Sequence, residues 1–177
     1  MQETAISKIL DRFIEDGIKL SPLSATYMGI PGYDDKLDDL SPTGAKKGED
    51  FVRNTLNAVK NETPANEFDR IAKEVAIERL SSELKLSETK ESHVTFNLIA
   101  SPVTEIRQIF EMMKDSPELV SNVTKRLSGI KSAFDGWRLT IEEAAKDGKV
   151  NQKRQVLATA GQLDTFANGG FTAVAKK

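Results

Sequence analysis

The chain has 177 residues, 38% of them hydrophobic and 29% charged, with a formal net charge of −2 and no cysteine. That balance belongs to a folded globular domain. The even charge argues against a nucleic-acid partner, and no run approaches the ~18 apolar residues of a membrane span. Without cysteine there is neither a disulfide nor a thiolate metal site, so a reducing cytoplasm is the expected compartment.

Ile6, Ile9, Leu10, Phe13, Ile14 and Ile18 recur at three- and four-residue steps. This predicts an amphipathic helix from about Glu3 to Leu20. Ser21-Pro22 then restarts the chain: a serine hydroxyl can accept from a free helix N–H, and a proline in the first position has no N–H to leave unpaired. The same dipeptide recurs at Ser41-Pro42, Ser101-Pro102 and Ser116-Pro117, and each reads as a helix start. Pro22 to Met28 is a short helix. Gly29 to Leu40 is a loop, because Gly29, Pro31 and Gly32 break any helix. The next helix runs from Pro42 to about Asn61, with Val52, Leu56 and Val59 as its core face. After a polar linker a long helix follows from about Glu67 to Leu86, with Phe68, Ile71, Val75, Leu80 and Leu84 directed inward. Val94 to Ala100 is ambiguous between a short strand and a helical turn; a buried connection or short helix is favoured, since no second strand is visible to pair with it. Ser101 opens a helix that buries Val103, Ile106, Ile109, Phe110 and Met113.

From Ser116 onward, Leu119, Val123, Leu127, Ile130, Phe134, Trp137, Ile141 and Ala145 form a nearly continuous stripe. Gly129 and Gly136 interrupt it at about 1 kcal/mol each if helical, which predicts a break at Gly129 and two helices. A final helix from about Asn151 to Asn168 carries Val156, Leu157, Ala160, Leu163 and Ala167 inward and ends at Gly169-Gly170. The fold class is an all-α antiparallel bundle of six to eight amphipathic helices in a single domain.

The chain has no catalytic constellation of its own. Its single histidine, His93, lies in a polar junction and reads as a surface or loop residue; no His-Glu-x-x-His, nucleophile elbow or phosphate-binding glycine loop occurs. Ser-x-x-Lys appears at Ser82–Lys85, Ser87–Lys90 and Ser128–Lys131 without its companion motifs, as chance would produce. Asp34, Asp35, Asp38 and Asp39 crowd around Tyr33 but do not follow the alternating spacing of a calcium loop, so they read first as a solvated turn. Arg107, Arg138 (beside Trp137) and Arg154 are the basic residues best placed for a specific role, each read first as an intradomain salt-bridge partner. Arg154, in the first turn of the last helix, opposes the helix dipole and calls for a carboxylate.

The string from Ser21 to Pro42 resembles the N-terminal signature of the bacterial domain-of-unknown-function 885 family. So do Asp69-Arg-Ile-Ala, Glu78-Arg-Leu followed by Glu83-Leu, Asn97-Leu-Ile-Ala-Ser-Pro, Ile106-Arg-Gln-Ile-Phe and Lys153-Arg-Gln-Val, in the family's order. The resemblance implies a larger helical protein related to gluzincin-type zinc metallopeptidases. The family's zinc motif, His-Glu followed by Pro-Gly-His, lies in the C-terminal half, and no position here matches it. The chain is therefore expected to be the N-terminal helical region, forming one wall or lid of a substrate cleft and inactive alone, with zinc belonging to the C-terminal half. Tyr33, Asp34, Asp35, Asn97, Ser101, Arg107, Trp137, Arg138 and Arg154 are the residues expected to face that cleft. The expected partner is the C-terminal catalytic half. The alternative is a stand-alone interaction module, self-associating as a homodimer through the apolar face that an isolated subdomain exposes.

Overall fold

The computed structural model describes residues 3–94, 97 and 99–170. Their regular structure is helical throughout, and the fold class is all-α. The elements are α1 (Ala5–Leu20), α2 (Pro22–Met28), α3 (Pro42–Asn61), α4 (Glu67–Glu88), α5 (Glu91–Val94), α6 (Pro102–Met112), α7 (Leu119–Lys146) and α8 (Lys153–Thr165). A widened turn over Phe166–Gly170 follows α8, with Gly169 at φ 130°. Phe96 and Leu98, part of the ambiguous 94–100 stretch, lie outside the described residues.

Two apolar clusters organise the helices. Val52 and Leu56 of α3 meet Leu80 and Leu84 of α4, with Phe13 of α1 and Ile77 packed against them. The short linker 62–66 folds α3 and α4 back on each other as an antiparallel pair. Lys73 fastens that reversal by donating to the carbonyls of Lys60 (2.8 Å) and Glu62 (2.5 Å), the open C-terminal end of α3. Asp69, buried at the start of α4, accepts from the Thr4 hydroxyl (2.8 Å) and the Ala65 N–H (3.0 Å), so the N-terminal ends of α1 and α4 share one carboxylate. The second cluster joins Leu23 of α2, Ile106, Ile109 and Phe110 of α6 and Ala133 of α7. Leu37 and Leu40, from the stretch between α2 and α3, pack against it.

Several expectations need correction. α7 is one helix of 28 residues, unbroken at Gly129 and Gly136. Its buried row is Arg126, Ala133, Thr140 and Ala144; Val123, Ile130 and Phe134 of the expected stripe do pack against the core beside that row, whereas Leu127 and Ala145 are exposed. On α4 the phase error is larger: Phe68 (63% exposed), Ile71 (49%) and Val75 (55%) face outward. Ile14 of α1 and Val156 and Leu157 of α8 are likewise exposed. Of the four Ser-Pro pairs, Ser41 and Ser101 cap their helices, accepting from the N–H groups of Gly44 (3.2 Å) and Thr104 (3.4 Å). Ser21 makes no such bond, and Ser116 lies short of α7, whose first helical residue is Leu119.

Candidate functional site

The acidic stretch 33–41, which begins in a turn closed by the Lys36 N–H on the Tyr33 carbonyl (3.0 Å), lies as a strap along α7. One row of α7 receives it, at positions 126, 129, 133, 136 and 140, which alternate steps of three and four and so share a helix face. At the start of the row Arg126 donates from Nε to the Lys36 carbonyl (2.9 Å) and from Nη2 to the Tyr33 carbonyl (3.0 Å) and the Thr26 hydroxyl (2.8 Å). Leu37 passes over Gly129. At Gly136 a methyl group would stand 3.0 Å from the Ser41 backbone nitrogen, so the strap and α7 approach too closely there for a larger residue. Thr140 closes the row by donating to the Leu40 carbonyl (2.8 Å). Gly44, in the first turn of α3, leaves room for the Asp39 carbonyl, which would sit 1.9 Å from an added methyl.

Arg126 is completely buried and remains charged there. Burial pushes its guanidinium below its ordinary value, and Asp34, Asp38 and Asp35 pull it back. Asp38 performs the capping that Ser21 does not. Its Oδ1 accepts from the Leu23 N–H (2.9 Å) in the first turn of α2, and its Oδ2 accepts from the Ser21 hydroxyl (2.7 Å). Burial pushes the Asp38 carboxyl up, against the Leu23 N–H, the Ser21 hydroxyl and Arg126, which favour its charged form. Glu105 on α6 is pushed up by partial burial and by the negative charge of Asp38. The other carboxylates have separate tasks. Asp34 accepts from the Thr26 hydroxyl (2.7 Å), Asp39 from the Ser41 N–H (3.1 Å), and Asp35 pairs with Lys125 (3.4 Å).

Beside the strap opens a cleft of about 530 Å³. Thr26, the Gly29–Gly32 turn, Asp34 and Asp35 form one side; Met112, Lys114, Asp115, Ser116, Glu118 and Asn122, between α6 and α7, form the other. Gly29 adopts φ 71°, and the Lys114 ammonium lies 2.8 Å from where its side chain would begin. The left-handed backbone is what favours glycine here, since the Lys114 ammonium sits at the end of a flexible side chain that can move aside. Four carboxylates against one lysine make the lining acidic, while Ile30, Pro31 and Met112 add apolar surface. Such a cleft suits an extended ligand with a positive charge and an apolar side chain.

Of the residues expected to face a cleft, Asp34 and Asp35 line this one; Tyr33 is not among its lining residues, contributing its carbonyl to Arg126 while its ring lies under the Lys36 ammonium (5.0 Å). The others sit elsewhere. Asn97 lines a second recess with Gly148, Lys149 and Asn151, and its side chain accepts from the N–H groups of Ile99 and Ala100 (2.8 Å each). Ser101 is the buried cap of α6. Arg107 bonds Glu111 (2.8 Å) and lies over the Phe166 ring (5.6 Å). Trp137 is half-buried and packs at a tilt on Phe134, and Arg138 bonds Glu142 (2.6 Å). Arg154 is exposed and makes no ion pair among the described residues, contrary to the carboxylate expected for it. Sequence reasoning missed Arg126, the centre of the arrangement. Its signal was a charge placed on the inward row of α7, one heptad before Ala133 and two before Thr140.

Zinc, which the resemblance associates with the family, does not fit the donors present. His93 lines a small recess (about 210 Å³) with Glu49 and Glu143, but Lys46 and Lys90 share it and would repel a cation. Among the described residues no three His, Asp or Glu side chains are grouped to hold a metal ion. No helix of the described residues is long and apolar enough to cross a membrane.

No curated protein matches the chain. A family model described as bacterial protein of unknown function (DUF885) matches residues 22–176, which takes in the strap, the cleft and every helix from α2 onward. The chain thus belongs to the DUF885 family of bacterial proteins.

Proposed function

We propose that this chain forms one wall of a peptide-binding cleft in a larger zinc metallopeptidase, the metal and catalytic groups being supplied by the other half of that protein. The observation that carries the reading is the acidic cleft beside the strap, whose Asp34 and Asp35 wall is held by a buried arginine rather than left as a free loop. A fixed wall positions a ligand at little ordering cost, which is what a cleft must do for chemistry performed on its opposite side. The basic side chain or amino terminus of a peptide fits the carboxylates, and Ile30, Pro31 and Met112 fit an apolar neighbour. The test is zinc content and peptide turnover, measured on this chain alone and on the chain joined to the C-terminal half.

The exposed α1–α4 face favours a second reading, a self-associating interaction module. Finding no His-Glu and Pro-Gly-His segment in the reading frame beyond Lys177 would favour this second reading over the first.

A further inference from the structure

Thr26 is only 5% exposed, yet it lines the acidic cleft, so its hydroxyl stands between the buried Arg126 and the open side of the wall. A guanidinium can only donate, so in the 2.8 Å bond from Arg126 Nη2 the Thr26 oxygen is the acceptor. The hydroxyl keeps one proton of its own. Two acceptors lie within reach of it, the Pro22 carbonyl at 3.4 Å and Asp34 Oδ1 at 2.7 Å. The shorter bond, to a charged acceptor, is the stronger, so the proton goes to Asp34. A relay of fixed direction thus runs from Arg126 through Thr26 to one oxygen of Asp34.

That relay singles out one carboxylate of the lining. Asp34 is held at Oδ1, while its Oδ2 accepts no bond among the described residues. Lys114, the lysine of the lining, lies against Gly29 and forms no ion pair among the described residues. Asp35 is paired with Lys125 (3.4 Å), and Asp115 and Glu118 across the cleft are exposed. A carboxylate fixed before the ligand arrives has little side-chain freedom left to lose on binding. Arg126 sets one positive charge against Asp34, Asp35 and Asp38 around it, so the wall stays negative.

The same relay selects the chemistry that Asp34 can hold. A guanidinium binds a carboxylate best through both oxygens at once, and here Oδ1 is already engaged by Thr26. An ammonium is a compact point charge and needs only one oxygen.

We infer that Asp34 Oδ2 anchors a primary ammonium group of the ligand, with Thr26 as its positioning residue, and that the cleft prefers an ammonium to a guanidinium. The inference rests on the reading of this cleft as a peptide site and deepens it.

The test titrates the full chain with four capped peptides, followed by calorimetry. Acetyl-Leu-Lys-Leu-amide carries only a lysine ammonium, and Leu-Ala-Leu-amide only an amino-terminal one. Acetyl-Leu-Arg-Leu-amide carries only a guanidinium, and acetyl-Leu-Ala-Leu-amide no charge. At least one ammonium peptide should bind, and the pair shows whether a lysine or an amino terminus is the source. The guanidinium peptide should bind about fivefold more weakly than the better of them, and the uncharged one not at all. Asp34→Asn should weaken the better ammonium peptide about tenfold, whereas Asp39→Asn, which removes a strap charge outside the cleft, should change it less than about twofold. Thr26→Val should weaken it about threefold and Thr26→Ser, which keeps the hydroxyl, should restore it, with circular dichroism unchanged in all four variants. Equal binding of the guanidinium peptide, equal losses for Asp34→Asn and Asp39→Asn, no loss for Thr26→Val, or no rescue by Thr26→Ser would overturn the inference. Failure of the cleft reading looks different: no cationic peptide then binds even the wild-type chain, whereas binding that survives Asp34→Asn sinks this inference alone.

Discussion

Replacing Arg126 by alanine would take the side-chain donor from the Lys36 carbonyl, leave the Tyr33 carbonyl only the Lys36 N–H, and remove a cation that helps hold Asp38 ionised. Loss of a buried, multiply bonded charge together with its volume costs about 3–5 kcal/mol, to be read from chemical denaturation. Arg126→Lys keeps the charge but not the fork that reaches both carbonyls and Thr26, and should recover less than half of the loss. Asp38 gives a pH signature. Because its pKa is raised in the fold, its contribution is fully present below its unfolded pKa and is lost as pH rises through the folded one. Wild-type stability should therefore gain on that of Asp38→Asn as pH falls from about 7 to about 4, as followed by thermal unfolding. Only part of this was legible in the sequence. The four aspartates and Tyr33 stand out by crowding, but their bonds run to residues far along the chain, and local patterning carries no trace of a partner such as Asp38 for Leu23 or Arg126 for Lys36.

At the scale of elements, the boundaries of α2 and α3 were readable residue for residue because proline and glycine punctuate them. α7 runs unbroken where helix propensity alone predicts a break at Gly129. Its glycines are contact points for the strap, and the packing they permit outweighs their intrinsic cost. The two glycines should respond differently to substitution. Gly129→Ala meets only the flexible end of Leu37 at 3.4 Å and should gain about 0.5–1 kcal/mol. Gly136→Ala presses on the Ser41 backbone, which is tied to Asp39 and caps α3, and should lose about 1 kcal/mol or more despite the same gain in propensity. Differential scanning calorimetry of the two variants distinguishes them by the sign of the Tm change. α4 was misphased for a different reason. It carries two apolar stripes, Leu80–Leu84 against α3 and Phe68–Ile71–Val75 outward, and periodicity alone does not say which neighbour each one meets.

For the whole molecule, the all-α class was legible from helical periodicity and the lack of any hairpin signal. Which faces remain open was not, since that depends on how the helices assemble. The assembled molecule presents two open surfaces of opposite character: the acidic cleft between the strap and the α6–α7 connection, and the apolar groove between α1 and α4. The first is lined on both sides by carboxylates and the second by apolar side chains. The measurement that reaches the central claim most directly is zinc content together with peptide turnover, on this chain alone and on the chain joined to the C-terminal half. The expected result is substoichiometric zinc and no turnover for the chain alone, with both appearing in the joined protein. Stoichiometric zinc with turnover by this chain alone, or a joined protein that binds no zinc and cleaves no peptide, would contradict it.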